Sequence, residues 1–197
     1  ELASGCAFFG GARLVWNRLG GNSDNYSSGV PNSVTIVNAS EPNHRGTNTA
    51  VRYAVTPGLD YHFVRSNILA VDYPGGATLR ATVVVSRNLY RYIGIRAGQT
   101  SGSEVIDLQT NTWVTNRVET LHRSFEIIDA NWIRLTTSAY FAATGTKVFD
   151  ITPASPTGLE YWTAPAGLEF VIADVQLNNI SNYDASYVPE YVSVGVE

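Results

Sequence analysis

The sequence contains no methionine, one cysteine and one lysine among its 197 residues. The single cysteine, Cys6, excludes a disulfide framework and any zinc site that needs several thiolates. Because methionine is missing even at position 1, we expect the chain to be a processed product or a piece of a longer protein. Residues 1–5 also lack the charged start and the apolar stretch of a signal peptide.

Charge is scarce as well, since charged residues make up 15% of the chain against roughly 25% in an average domain. The net charge is −4, and the basic residues are Lys147 and a scattered set of arginines. Nucleic-acid binding usually needs a clustered basic surface, so we expect no nucleic-acid partner. No apolar run reaches the roughly 18 residues that span a bilayer, so we expect no membrane insertion.

Helical patterning is nearly absent, whereas alternating apolar and polar residues recur between turn residues. This pattern predicts one all-β domain over residues 1–197, an antiparallel β-sandwich or jelly roll of about ten short strands. The extended segments are 33–38, 49–56, 61–71, 79–86, 90–97, 104–108, 113–121, 124–129, 131–141, 147–152, 168–177 and 187–196.

Two late parts of the chain carry a family resemblance. Residues 130–136, which read ANWIRLT, resemble a G-W-Y-R-L-S strand. Residues 168–177 (LEFVIADVQL), followed by 186–190 (SYVPE), resemble an I-W-G-A-Q-L-E … S-Y-I-P-T ending, although Ala173-Asp174 replaces its Trp-Gly pair. Together they resemble the carbohydrate-binding-module-like jelly-roll domains of phage tail fibres and tailspikes.

This resemblance implies a β-sandwich module of a virion, outside the cell, that contacts a cell-surface polysaccharide or other glycan. It also implies assembly, as a homotrimer or with other particle proteins. The segment IADV at 172–175 is similar to the I-D-D-V strand of related sugar-binding modules, in which a carboxylate can hold a structural calcium. We expect no cofactor, with calcium at Asp174 as the alternative.

Patterns for catalysis are missing from the sequence. No G-x-S-x-G turn is present for a serine nucleophile, and His44, His62 and His122 lack metal-ligand spacing. Acidic residues are available, but none are gathered into the close carboxylate pair that glycoside hydrolysis uses. We therefore expect that the chain is not an enzyme and has no catalytic residues.

Sugar binding requires aromatic faces for stacking and polar groups for the hydroxyls, and tyrosine and arginine supply both. Tyr90, Tyr92 and Arg96 share one face of a predicted strand, and Asp174 and Gln176 share one face of another. If the two strands are neighbours, these five residues form a polar aromatic floor, which is our predicted binding site. The alternative is that both tyrosines are half-buried sheet residues.

Trp162, next to Tyr161 and between turn-rich segments, is a further candidate at the rim of the site. The leading hypothesis is thus a glycan-binding or receptor-recognition module of a phage fibre or tailspike. Two alternatives stay open: a structural or trimerising virion domain without a ligand, and a polysaccharide-degrading fragment. Apolar residues on both faces of several strands fit either a trimer interface or a wider two-sheet core.

Overall fold

The computed structural model describes residues 6–9, 13–16, 30–67, 76–97, 101–141 and 148–187. These ranges contain β-strands, turns and loops but no helix. The strands in chain order are β1 (Cys6–Phe9), β2 (Arg13–Trp16), β3 (Val30–Asn32), β4 (Val34–Glu41), β5 (Ala50–Val55), β6 (Gly58–Tyr61), β7 (Phe63–Asn67), β8 (Ala77–Ser86), β9 (Tyr92–Ala97), β10 (Glu104–Asp107), β11 (Thr112–Trp113), β12 (Thr120–Ile127), β13 (Trp132–Phe141), β14 (Val148–Pro153), β15 (Tyr161–Ala164) and β16 (Glu169–Asn179).

Two six-stranded antiparallel sheets form the molecule. The front sheet has the order β11-β10-β9-β14-β7-β3, and the back sheet has the order β12-β13-β8-β16-β5-β4. Two-stranded ribbons, β1–β2 and β6–β15, accompany them. Several neighbours, such as β9 and β14 in the front sheet and β8 and β16 in the back sheet, come from distant parts of the chain, as in a jelly roll. The predicted all-β antiparallel sandwich is confirmed.

The core lies between the two sheets and follows from the alternation of side chains along each strand. In β9, Ile93 and Ile95 point inward, and in β8, Val83 and Val85 do the same. Burying one such side chain stabilises the fold by about 1.5–3 kcal/mol. Between β5 and β16, the rings of Tyr53 and Phe170 stack with centroids 5.3 Å apart.

Strand boundaries differ from the sequence prediction at several places, including the predicted strand at 90–97, which begins only at Tyr92 and so leaves Tyr90 outside it. The predicted strand at 113–121 is interrupted, because β11 ends at Trp113 and β12 begins at Thr120. The predicted strand at 61–71 is divided between β6 and β7, with 68–71 outside the described residues. The final predicted strand at 187–196 also lies outside them, apart from Tyr187.

Part of the outer face of the back sheet, around β8 and β16, is buried by the chain itself. Val84, Trp132 and Val171 form a second buried apolar cluster on this face. The guanidinium of Arg80 is fully buried and donates hydrogen bonds to the backbone oxygens of Ala185 and Ser186 in the turn at 181–187. Apolar residues on both faces of β8 and β16 are therefore explained within one chain.

Candidate functional site

The predicted five-residue floor is not formed, because β9 lies in the front sheet and β16 lies in the back sheet. Sequence alternation correctly placed Tyr92 and Arg96 on one face of their strand, opposite the core residues Ile93 and Ile95. It could not show which strands are neighbours. The hypothesis that both strands contribute to a single surface is therefore wrong.

Asp174 and Gln176 are both buried in the back sheet. Asp174 lies at a β-bulge with φ of 48°, and its carboxylate accepts a 2.6 Å hydrogen bond from Arg45 and lies 3.2 Å from His44 Nε2. Gln176 donates to Asn178 Oδ1 at 2.8 Å. Within the described part of the chain, no three His, Cys, Asp or Glu residues are grouped to hold a metal ion.

Tyr90, Tyr92 and Trp162 do come together. The rings of Tyr90 and Trp162 stack at 6.0 Å, and Tyr92 meets Tyr90 edge to face at 6.2 Å. However, Tyr90 donates its hydroxyl proton to Ala154 O at 2.6 Å, and Trp162 Nε1 donates to Pro153 O at 3.1 Å. Burial raises the pKa of the Tyr90 hydroxyl. The polar atoms of Tyr90 and Trp162 thus bind the chain's own loop.

Arg96 belongs to a row of charges on the outer face of the front sheet. The register places Asp150 of β14 directly opposite Arg65 of β7 on one side and opposite Arg96 of β9 on the other. Arg65 donates through Nε and Nη2 to the two Asp150 oxygens at 2.7 and 2.9 Å. Arg96 Nη1 lies 3.8 Å from Asp150 Oδ2. The hydrogen bonds to Asp150 raise the pKa of Arg65.

This row forms the floor of a cleft of about 360 Å³, which we call the front cleft. The cleft is lined by two aromatic rings, two guanidinium groups, two carboxylates and two hydroxyl groups, contributed by Tyr61, Phe63, Arg65, Arg96, Ser101, Asp150, Thr152 and Glu160. The guanidinium carbon of Arg65 lies 4.2 Å above the centre of the Phe63 ring. Flat apolar surface and hydrogen-bonding groups therefore alternate within one concave surface.

The β6–β15 ribbon forms one wall of the front cleft. Tyr61 and Tyr161 are directly opposite in this ribbon, with ring centroids 4.9 Å apart. Their exposed fractions are 50% and 48%. Large aromatic side chains that stay this exposed leave ring surface available to a partner.

The ribbon is anchored on both sides of the tyrosine pair. His62 is fully buried, and its Nδ1 and Nε2 atoms lie 3.1 Å from Ser33 O and 3.2 Å from Trp162 O. Glu160, next to Tyr161, accepts a hydrogen bond from the backbone N–H of Ser103 at 2.5 Å. These contacts anchor the chain segments that carry the two exposed rings beside the charged row.

Sequence reasoning missed Tyr61 and Phe63, which line the front cleft, and Tyr161, whose ring packs against that of Tyr61. A signal was present, since Tyr61, Phe63 and Arg65 alternate along the predicted strand at 61–71 and so share one face. Tyr161 lies in β15, which was not predicted. Of the proposed ligand-binding residues, only Arg96 lines the front cleft.

Known structures show the same architecture. The CBM22-1–GH10 modules of Clostridium thermocellum endo-1,4-beta-D-xylanase 10B, complexed with xylohexaose, match with a TM-score of 0.50 at 10% identity. The match covers 82% of this chain and 28% of that chain, so our chain spans only a minor part of the xylanase. The chain is a jelly roll like that of carbohydrate-binding modules. At this identity, the likeness of the jelly roll is one of fold alone.

Two further solved structures resemble the jelly roll more distantly. A mutant of CBM29-2 complexed with cellulohexaose has a TM-score of 0.41 and 12% identity, covering 89% of this chain and 96% of that chain. The tripod from the baseplate of bacteriophage Tuc2009 has a TM-score of 0.35 and 13% identity, covering 90% and 66%. No family model and no curated protein matches the chain. The described residues include no helix long and apolar enough to cross a membrane.

Proposed function

We propose that this jelly roll is a non-catalytic glycan-binding module and that the front cleft is its binding site. The observation that supports this most directly is the pair of half-exposed rings, Tyr61 and Tyr161, fixed beside the Arg65–Asp150–Arg96 row. The fold shared with the CBM22-1 module, whose structure was determined with xylohexaose, agrees with this function.

The chemistry of the cleft suits a sugar chain. The C–H faces of a pyranose ring can pack on the tyrosine rings, while its hydroxyl groups donate to carboxylates and accept from guanidinium N–H groups. Asp150 and Glu160 supply acceptors, and Arg65 and Arg96 supply donors. The two carboxylates balance the two guanidinium groups, so we propose a neutral sugar as the ligand of the front cleft.

The biological setting follows from the sequence resemblance to phage fibre and tailspike domains. In that setting the module is part of an extracellular virion protein and recognises a cell-surface polysaccharide as the host receptor. Homotrimer formation, or contact with other particle proteins, belongs to the same proposal. A structural virion domain without a ligand is the second candidate, favoured by the covered back sheet and by the internal hydrogen bonds of Tyr90 and Trp162.

The test is a glycan array probed with the purified chain, together with its mass in solution and an assay for released reducing ends. Glycan binding without release of reducing ends supports the proposed function. A trimer that binds no glycan supports the structural alternative. Release of reducing ends from a bound polysaccharide would show a degrading enzyme instead.

A further inference from the structure

A second cleft, of about 330 Å³, lies where the loops around Asn88, Gln109 and Ala130 meet, and we call it the loop cleft. Arg91, which lines it, immediately precedes β9, whereas Arg96 of the front cleft lies near the other end of that strand. Five residues of extended chain span roughly 16 Å. The two clefts are therefore separate surfaces.

Two guanidinium groups line the loop cleft, and only one of them has a carboxylate partner among the residues that the structure describes. Arg91 forms two hydrogen bonds with Asp107, from Nε to Oδ1 at 2.6 Å and from Nη2 to Oδ2 at 2.5 Å. Arg87 Nη2 instead donates to two uncharged oxygens, Leu108 O at 3.2 Å and Asn111 Oδ1 at 3.0 Å. Arg87 Nε is buried and has no hydrogen-bond acceptor among the described residues.

Nearby carboxylates do not neutralise Arg87. Asp129 precedes the cleft residue Ala130 but does not itself line the loop cleft, and its Oδ1 atom accepts from the backbone N–H groups of Asn131 and Trp132. Glu169, which lines an adjoining cleft together with Leu89, also lies outside the lining of the loop cleft, and it shares Arg52 with Glu41. Among the residues that line the loop cleft and their ion-pair partners, two guanidinium groups, Arg87 and Arg91, face one carboxylate, Asp107, so one positive charge is in excess.

The position of Arg87 is fixed by the chain around it. Its backbone N–H donates to Asn131 O at 2.8 Å, and Asn88 donates from Nδ2 to Asn131 Oδ1 at 2.8 Å. Its second anchor, Asn111, lies in a turn at φ of 56°, a conformation that asparagine tolerates. A half-buried guanidinium group that is held in place but not neutralised is prepared for an external anion, because little side-chain entropy remains to be lost on binding.

We infer that the loop cleft is a binding site for an organic carboxylate, the group that a uronic acid residue of an acidic glycan presents. A carboxylate can accept from the Nη1 groups of Arg87 and Arg91, which donate to no other described residue, and it neutralises the excess charge. The amide side chains of Asn88 and Gln109 line the same cleft and can contact the sugar hydroxyls. This inference is independent of the front cleft, which we assign to a neutral sugar.

The test is a titration of the isotope-labelled chain with glucuronate, followed by the backbone amide signals of residues 87–91 and 108–109. Glucose, which lacks the carboxylate, is the matched ligand. We expect glucuronate to shift these signals saturably and glucose to leave them unchanged. Arg87→Gln should weaken glucuronate binding by about tenfold or more, since a charge-assisted hydrogen bond is lost.

Arg134→Gln is the control, because it removes the same charge from an exposed ion pair with Glu126 outside the loop cleft. It should leave glucuronate affinity within about twofold. If Arg87→Gln disturbs the loop, Arg87→Lys keeps the charge without the fork and should still weaken binding. Equal weakening by Arg87→Gln and Arg134→Gln, equal shifts with glucose, or no shift with glucuronate would each overturn the inference.

Discussion

Asp150 accepts hydrogen bonds from Arg65 through both of its carboxylate oxygens, and the two residues are directly opposite across β14 and β7. The carboxylate is only 2% exposed. Arg96 lies on the other side of Asp150. Among the described residues of this row, Asp150 is therefore the one carboxylate between two guanidinium groups. The charged floor of the front cleft therefore depends on this side chain.

Asp150→Asn should lower the free energy of unfolding by about 1–3 kcal/mol, because the two hydrogen bonds from Arg65 then lose their charged, buried acceptor. Urea denaturation followed by tryptophan fluorescence measures this. Glu126→Gln is the matched control, since Glu126 is exposed and its pair with Arg134 should contribute only about 0–1 kcal/mol. Equal effects of the two substitutions would contradict the structural importance of Asp150.

Tyr90→Phe removes the hydroxyl that donates to Ala154 O. We expect a loss of about 1 kcal/mol in the free energy of unfolding, with glycan affinity unchanged. Tyr140→Phe, at an exposed tyrosine of β13, should change neither quantity. A fall in glycan affinity for Tyr90→Phe at unchanged stability would instead place Tyr90 in contact with the ligand.

Gly94→Ala should distort the front sheet. An added Cβ would lie 2.8 Å from Ser103 Cβ and 3.1 Å from Val105 Cγ2, so β10 would have to shift. Overpacking of this kind costs about 1–3 kcal/mol, and it should also disturb the hydrogen bond between Ser103 and Glu160 in the front cleft. Thermal unfolding measures the loss, with the exposed Thr163→Ala as control, and an unchanged melting temperature would show that β10 adjusts freely.

His122 makes stability depend on pH. Burial and the positive charge of the nearby Arg80 lower the pKa of His122 below its ordinary value of 6.5, and they outweigh Asp184, which acts to raise it. The unfolded chain therefore takes up a proton before the folded chain does, and stability falls as the pH drops below about 6.5. Other groups contribute to the total profile, so the informative quantity is the change in slope on substitution.

His122→Gln should reduce the dependence of the unfolding free energy on pH between pH 7.5 and 5. Chemical denaturation at several pH values measures the slope. Ser124→Ala on the same strand should leave the slope as it is in the unchanged chain. An identical slope for His122→Gln would show that this histidine has the same proton affinity in the folded and unfolded states.

The sequence predicted the fold because strand alternation is a local property. In β9 and β8, the core positions Ile93, Ile95, Val83 and Val85 could be read directly from the period of two. Short strands without alternation were not recognised. The β6 and β15 strands each have only four residues, and they carry exposed apolar residues on their surface.

The candidate site was predicted only in part, because strand pairing in a jelly roll joins segments far apart in sequence. Arg65, Arg96 and Asp150 meet through two registers that no local pattern shows. Aromatic residues were a sound guide to the region but not to their roles, since Tyr90 and Trp162 turned out to bind the 153–154 backbone. Tyr61 and Tyr90 differ in how much of the side chain is exposed to solvent. This exposure depends on the tertiary fold and could not be predicted from the local sequence.

The central claim is that the exposed tyrosine pair binds sugar. It is tested most directly by measuring the affinity of Tyr61→Ala and Tyr161→Ala for the glycan that the array identifies. Each should bind about tenfold more weakly, as expected for losing a ring contact of about 1.5 kcal/mol, while Tyr140→Ala, at a tyrosine 54% exposed outside the cleft, should bind normally. Unchanged affinity in both Tyr61→Ala and Tyr161→Ala would contradict the assignment of the front cleft as the glycan site.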